Sequence, residues 1–470
     1  MLFDLNQLSE APRTAYDVCV VGAGAAGIVL ALKLAGRGKK VALCEAGGME
    51  FTAESQECYN GEVIGDPYFD LDITRLRYFG GSTNHWGGWS RPFEPIDFDR
   101  GYLGDQYVWP ISLDELTKYL KEASSIIDTD DAYDDVLVND THGVIRFEIK
   151  TPEPVRFGKK YQAELENSAD VDVFLNANLT DIAGTGSRVT SATFASYQDR
   201  AFEISANTFV FAMGGIENSR QLLWLREKHG TQFMDNDLPI GRYWMEHPHF
   251  TLGEALVSNP ISTGQFFALT GARQRELNTL NCGLRVEEQS GGATKRLVKD
   301  LMCVAPTVGR WAMELAGRNL ICGARFRAAW EQAPTFDNRV GLSATKKDRF
   351  GVPQSELHWT ISEVDRNTAR TASDVFNQWL LDDDLGRIRL DEWVYGEGEF
   401  PTHDEIAGHH HMGGTRMSAS KRYGVVDANC KVFGSDNLYV AGSSVFVTGG
   451  HNNPTLPLLQ LTLRLADHLS

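Results

Sequence analysis

Cysteine is scarce, seven residues in 470, and no two cysteines are spaced C-x-x-C. An odd and scattered set excludes a disulfide framework and a zinc site built on paired cysteines; no metal site is expected. The lack of C-x-x-C-H excludes a haem attached by that route. Cys19 and Cys44 fall in apolar runs and read as buried hydrophobic side chains, so a reducing, cytoplasmic setting is expected. Positive charge is also short, with 45 Lys and Arg against 63 Asp and Glu and a net charge of -18. That balance disfavours nucleic acid and anionic lipid surfaces as partners. A membrane-spanning run of roughly 20 apolar residues is missing too. Val18 to Leu32 has that character but is broken by Gly22, Gly24 and Gly27, and Asp4, Glu10, Arg13 and Asp17 precede it, unlike the basic start of an export signal.

What is present is ordinary globular chain, 42% hydrophobic and 23% charged. Its length exceeds what one core usually serves, so two structural units are expected. Tyr16 to Val21 reads as a buried strand, followed by a glycine turn, a helical pattern through Ala26, Leu30, Leu32 and Leu34, and a second strand at Val41 to Cys44. This is a βαβ unit, and it opens a parallel sheet. Strand-then-glycine elements recur at Thr208 to Ala212 before Gly214 and Gly215, and at Leu438 to Ala441 before Gly442, Ser443 and Ser444. Between them, residues 250–405 alternate strand-like runs (Arg339 to Leu342, Glu356 to Ile361) with a helical pattern near Thr368 to Leu381.

Gly22-Ala23-Gly24-Ala25-Ala26-Gly27 fills the pattern G-x-G-x-x-G between strand and helix. The first glycine permits the tight turn, the second lets a pyrophosphate approach the backbone, and the third lets helix pack on strand. The helix N-terminus then offers unpaired N–H groups to the phosphates. Glu45, with Ala46 after it, ends the second strand where a carboxylate accepts hydrogen bonds from ribose hydroxyls. The motif alone leaves FAD and NAD both open.

Three further segments resemble the glucose–methanol–choline (GMC) oxidoreductases: Gly80 to Gly88 (GGSTNHWGG), His409 to Met417 (HHHMGGTRM), and Val425 to Leu469. Gly214-Gly215 and Gly241 to Pro248 share the likeness, which covers the flavin unit well and the substrate unit poorly. The resemblance implies an α/β protein with a Rossmann-like FAD-binding domain and a second, substrate domain built on a β-sheet plus helices. The FAD-binding domain is expected over 10–104, 151–250 and 406–470, and the substrate domain with its insertions over 105–150 and 251–405. Gly81, Asn84, His85, Trp86 and Gly87 would lie along the ribityl chain and ring, Leu179 at the adenine, and Gly442 and Ser443 near the pyrophosphate, with Gly214 a further cofactor contact. In relatives resembling pyranose oxidase a histidine at the position of His85 carries a covalent flavin bond; a packing or flavin-contacting role is the other reading.

Oxidising an alcohol requires a base for the hydroxyl proton and an acceptor for the hydride. The resemblance places the base at His410, with His409 and His411 as rivals, and a partner for the substrate oxygen at Asn453. A metal cluster is disfavoured because neighbours on a strand point to opposite faces. His247 reads as structural, and His451 as a residue that reaches the flavin edge. Asn453 or Thr455 can cap the final helix, with Pro454 or Pro457 in its opening turn. That helix end would stabilise negative charge on the reduced ring by about 1 kcal/mol. The expected activity is FAD-dependent conversion of CH–OH to aldehyde or ketone, on a sugar or glycoside or a simpler alcohol, with oxygen or another acceptor taking the electrons. Two alternatives share the fold: a lyase that uses FAD without net redox, and a flavin-binding partner subunit.

Overall fold

The computed structural model describes residues 1–8, 15–257, 261, 264–287, 324–397, 401 and 407–470. Among them the expected βαβ unit is present as strand Ala15–Val21, helix Ala25–Ala35 and strand Val41–Cys44, the two strands parallel. The helix forms because its run is rich in Ala and Leu with no proline, and Ile28, Leu30 and Leu34 are fully buried. Burial of each of these side chains stabilises by about 2 kcal/mol.

These strands belong to an eight-stranded sheet whose path runs Leu2–Asp4, Val171–Leu175, Val41–Cys44, Ala15–Val21, Ala201–Phe211, Arg188–Ala195 and Asn178–Thr185. Leu438–Val440 adds to it in parallel, on Phe209 to Phe211. Near-continuous apolar runs such as Val41–Cys44 (VALC) are what a sheet covered on both faces requires. The helix Thr455–His468 packs on Ala25–Ala35 and closes one face.

A second, seven-stranded antiparallel sheet contains Val136–Asn139, Val144–Phe147, His249–Val257, Phe266–Leu269, Cys282–Glu287, Ala324–Trp330 and Gly386–Leu390. Helix Glu363–Asp382 covers it and starts at a capping box in which Ser362 and Asp365 each accept the other's backbone N–H. Its Ala369, Ala372, Phe376, Trp379 and Leu380 are buried at helical spacing, and Phe376 lies 5.2 Å from Phe267 and 5.9 Å from Phe326, ring to ring. A third sheet of three strands joins Gly61–Gly65 to Pro353–Trp359 and Arg339–Lys347.

Two observations differ from expectation. The short helices Leu113–Thr117 and Leu120–Ile126, expected with the second unit, pack on the C-terminal helix instead. Leu116, Ala123 and Ile127 are buried in the first core, and Gln460 Nε2 donates to the Leu116 carbonyl at 2.9 Å. The run of histidines lies in an irregular segment, not a strand, with His409 in the left-handed region at φ 56°. The five cysteines among the described residues are buried free thiols, Cys19 and Cys44 included.

Candidate active site

The two sheets meet around one cavity of about 1030 Å³, lined from both units. That is at the upper end of small-ligand pockets, large enough for an extended cofactor and a small substrate. From the sequence-predicted residues, Gly22, Gly24, Ala25, Ala26, Glu45, Ala46, Gly81, His85, Trp86, Gly87, Leu179, Gly214, Gly442, Ser443, Asn453, Pro454 and Thr455 all line it.

Gly27 and Asn84 do not. A Cβ on Gly27 would lie 1.8 Å from the Gly22 carbonyl, so this glycine serves the close approach of helix to turn. The Asn84 amide turns back and donates to the Phe79 carbonyl at 2.9 Å, bracing its own loop. That loop is also held by Arg156, which donates to the carbonyls of Thr83 and Trp86, both at 2.9 Å, and by Trp86 Nε1 donating to Val155 O at 2.7 Å. Gly81 lies against Gly24, so the braced loop and the glycine turn form one wall. His85 stands on that wall, and partial desolvation of its ring, with the nearby Arg156 charge, lowers its pKa.

The chemistry of this wall fits FAD. A Cβ built on Gly24, Gly214 or Gly442 would meet nothing within 4 Å, so bare backbone faces the cavity at each. Neither Gly24 before Ala25–Ala35 nor Pro454 before Thr455–His468 supplies a side-chain cap, which leaves first-turn N–H groups for a ligand. This corrects the expectation that Asn453 or Thr455 caps the last helix: Pro454 holds the cap position, and the Asn453 side chain goes elsewhere. The Glu45 carboxylate accepts the N–H groups of Ala23 (2.8 Å) and Gly47 (3.0 Å) and keeps lone pairs for ribose. Burial raises its pKa against those hydrogen bonds.

At the other end of the cavity stand six of the chain's histidines, His247, His249, His409, His410, His411 and His451. His410 Nε2 lies 3.0 Å from Asn453 Nδ2, and His410 Nδ1 lies 2.8 Å from His247 Nδ1. His247 Nε2 lies 2.7 Å from the Gly450 carbonyl and 3.3 Å from that of Gly449. Carbonyls only accept, so the His247 proton sits on Nε2 and its Nδ1 is a lone pair. His410 must then donate from Nδ1, and its Nε2 is the lone pair that accepts from the Asn453 amide. Three hydrogen bonds therefore set one tautomer, with the basic nitrogen of His410 pointing at Asn453.

Glu246 holds the same group from behind. Its Oε1 accepts the backbone N–H of His247 (2.9 Å) and of His410 (2.6 Å), and its Oε2 accepts from the Tyr68 hydroxyl. Burial pushes Glu246 up to about 7 despite those donors. Burial pushes His247 down to about 4. His410 is held well below the usual range by burial, then by the neighbouring imidazoles of His247, His409, His249 and His411. His410 is thus neutral near pH 7, the form a base requires.

The rival histidines are placed differently. His411 Nε2 lies 3.2 Å from the Tyr68 hydroxyl, and Gly215 backs its carbonyl so closely that a Cβ there would sit 2.4 Å away. His409 is exposed, its ring edge-on to Phe69 at 4.6 Å. Reasoning from sequence gave His247 only a structural role and missed Glu246 and Tyr68. Only the placement of His247 and Glu246 within the Gly241 to Pro248 likeness pointed toward them.

Residues 334–462 match the family model described as GMC oxidoreductase, and residues 17–240 the one described as FAD dependent oxidoreductase. A 2-methyl-1,2-propanediol dehydrogenase of Mycolicibacterium austroafricanum is 24% identical over 548 aligned positions, covering 97% of this chain and 95% of that one. The fructose dehydrogenase large subunit of Gluconobacter japonicus is 27% identical over 60% of this chain and 50% of its own. A C-glycoside 3-oxidase of Microbacterium trichothecenolyticum is 28% identical over 33% of this chain and 27% of its own. Among solved structures, pyridoxine 4-oxidase from Mesorbium loti shares the fold with a TM-score of 0.61 at 14% identity, over 96% of this chain and 98% of that one. No described helix is long and apolar enough to cross a membrane.

Proposed function

The chain belongs to the GMC oxidoreductases and is an FAD-dependent enzyme acting on CH–OH groups; on that premise we propose that it oxidises a sugar, glycoside or small polyol with His410 as the base. The observation that carries the reading is the position of His410, between the Asn453 amide at 3.0 Å and the His247 imidazole at 2.8 Å, on the wall of the cavity. In this reading His410 Nε2 takes the hydroxyl proton while the Asn453 amide turns from His410 to the substrate oxygen. His247 receives the hydrogen bond from His410 Nδ1 and holds the ring while charge develops on it. Bound along the glycine wall, FAD supplies the hydride acceptor, and oxygen or another acceptor takes the electrons on.

The substrate class is supported by the relatives named for a diol, for fructose and for a C-glycoside. It is supported too by the cavity's far wall, where Trp89, Phe147 and Phe266 stand beside His249, Arg285 and His451. Aromatic faces with hydrogen-bonding groups at their edges suit a molecule with both C–H and O–H faces. The site residues lie on two discontinuous units, which we assign as a cofactor unit around the eight-stranded mixed sheet and a substrate unit around the antiparallel one.

The test is anaerobic mixing of the FAD-loaded protein with sugars, glycosides, diols and simple alcohols. Bleaching of the visible flavin band by a member of the panel is expected. If none bleaches it, and a cyanohydrin is cleaved, the lyase alternative replaces oxidation.

A further inference from the structure

One imidazole in the cavity is left without a use. His451 lines it two residues before Asn453, is 7% exposed, and has no hydrogen-bond partner among the described residues on either Nδ1 or Nε2. Nε2 lies 3.5 Å from Glu94 Oε1, without the geometry of a hydrogen bond. By contrast, the rings of His247, His410 and His411 each have a partner. A buried polar group left unpaired costs free energy that a ligand recovers by pairing with it.

We propose that His451 binds a second hydroxyl of the substrate, so that the enzyme selects diols, polyols and sugars over simple alcohols. The proposal rests on the alcohol-oxidation reading above and names the substrate class of that same site. A neutral imidazole offers one N–H and one lone pair, the complement of a hydroxyl. The Glu94 carboxyl favours the proton on Nε2 and leaves Nδ1 as the acceptor. An ionic substrate is disfavoured. Glu94 would repel an anion, and Arg91, bound to Glu94 (2.7 Å) and to Asp135, offsets the attraction for a cation. Two residues of extended chain span at most about 7 Å, so His451 and Asn453 are anchored close enough to engage one substrate molecule. Packing alone does not account for a histidine here. The ring lies tilted against Phe147 at 4.5 Å and 32°, a contact that a phenyl ring would make without the unpaired nitrogens.

The experiment measures kcat/KM of the holoenzyme for pairs differing in one hydroxyl: propane-1,2-diol against propan-1-ol, and a hexose against its singly deoxygenated analogues. Wild type should favour the fuller member by roughly tenfold or more. In His451→Phe that preference should fall to within about threefold, and His451→Gln, which keeps a hydrogen-bonding amide, should restore part of it. FAD content and melting temperature of both variants are read alongside. An equal preference in wild type and His451→Phe overturns the proposal, as does the absence of any preference in wild type, which needs no variant. Wild-type flavin that no alcohol bleaches removes the oxidation reading and this proposal together. Bleaching by all members of each pair at equal rates removes this proposal alone.

Discussion

His247 and His410 share a hydrogen bond between their Nδ1 atoms at 2.8 Å, and the carbonyl of Gly450 decides which of them donates. The carbonyl takes the Nε2 proton of His247, which leaves His410 to supply the shared one. A residue 163 positions away in sequence therefore sets which nitrogen of His410 is basic.

Replacing His410 with alanine removes the base while leaving the glycine wall intact. The flavin-reduction rate should fall by roughly 10²–10⁴-fold with FAD content unchanged. Stopped-flow absorbance under nitrogen measures it, and an unchanged rate would exclude His410 as base.

His247→Phe keeps a buried ring but offers no lone pair to His410. A loss of about 10–100-fold is expected, smaller than that of His410→Ala. The fall should appear in kcat more than in KM, because His247 orients the base and does not line up with the substrate oxygen. Equal losses in both constants would point to substrate binding instead.

The pH profile follows from the same group. His410 is held well below 6.5, so it remains a lone-pair base across neutral pH and is lost only on acidification. The acid limb of kcat/KM should therefore lie below pH 6.5, with activity falling as pH drops through it. A limb centred above 7 would contradict a buried, neutral His410.

Acid stability carries a related signature. Burial holds His247 and His451 at about 4, against 6.5 for an exposed histidine. Between those values the unfolded chain binds protons that the folded one refuses, so stability is full above about pH 6.5 and declines toward pH 4. Each group accounts for up to about 3 kcal/mol over that window. Glu246, raised to about 7, works in the opposite sense, its contribution being lost as pH rises from 4.5 to 7. Urea midpoints from pH 7.5 to 4.5 should drop less steeply in His451→Phe than in wild type.

Two glycines of one motif should fail in different ways. Gly24→Ala places its methyl in open cavity, so the cofactor-free protein should melt as wild type does while its FAD affinity falls at least tenfold. Gly27→Ala forces a methyl onto the Gly22 carbonyl and should lower stability by about 1–3 kcal/mol even without FAD. Thermal melts with and without FAD separate the two.

The parallel part of the first sheet was legible because its elements are local: Ala15–Val21, Val41–Cys44 and Leu438–Val440 are short apolar runs punctuated by glycine or a turn. The helix Glu363–Asp382 was legible from its period, since Ala369, Ala372, Phe376 and Leu380 recur on one face. Packing between distant segments left no such trace. Nothing in Leu113–Ile126 says that it rests on a helix more than three hundred positions later, and it reads as well for one unit as for the other. Asn84 and Gly27 sit inside motifs whose other members face the cavity, yet backbone geometry turns one amide back on Phe79 and spends the other residue on helix contact. His247 and Glu246 gain their places only when the loop before His249–Val257 meets the loop around His410.

The late arrival of Leu438–Val440 has a consequence for biosynthesis. This strand adds to Ala201–Phe211 from the far end of the chain, and the segments on either side of it bring His410 and Asn453. A nascent polypeptide emerging up to about residue 400 would own a phosphate cradle but neither proton acceptor nor the closing helix. Flavin captured at that moment would be loosely held and chemically idle. Cofactor loading and catalytic competence should thus be acquired together, once residues 406–470 have been made.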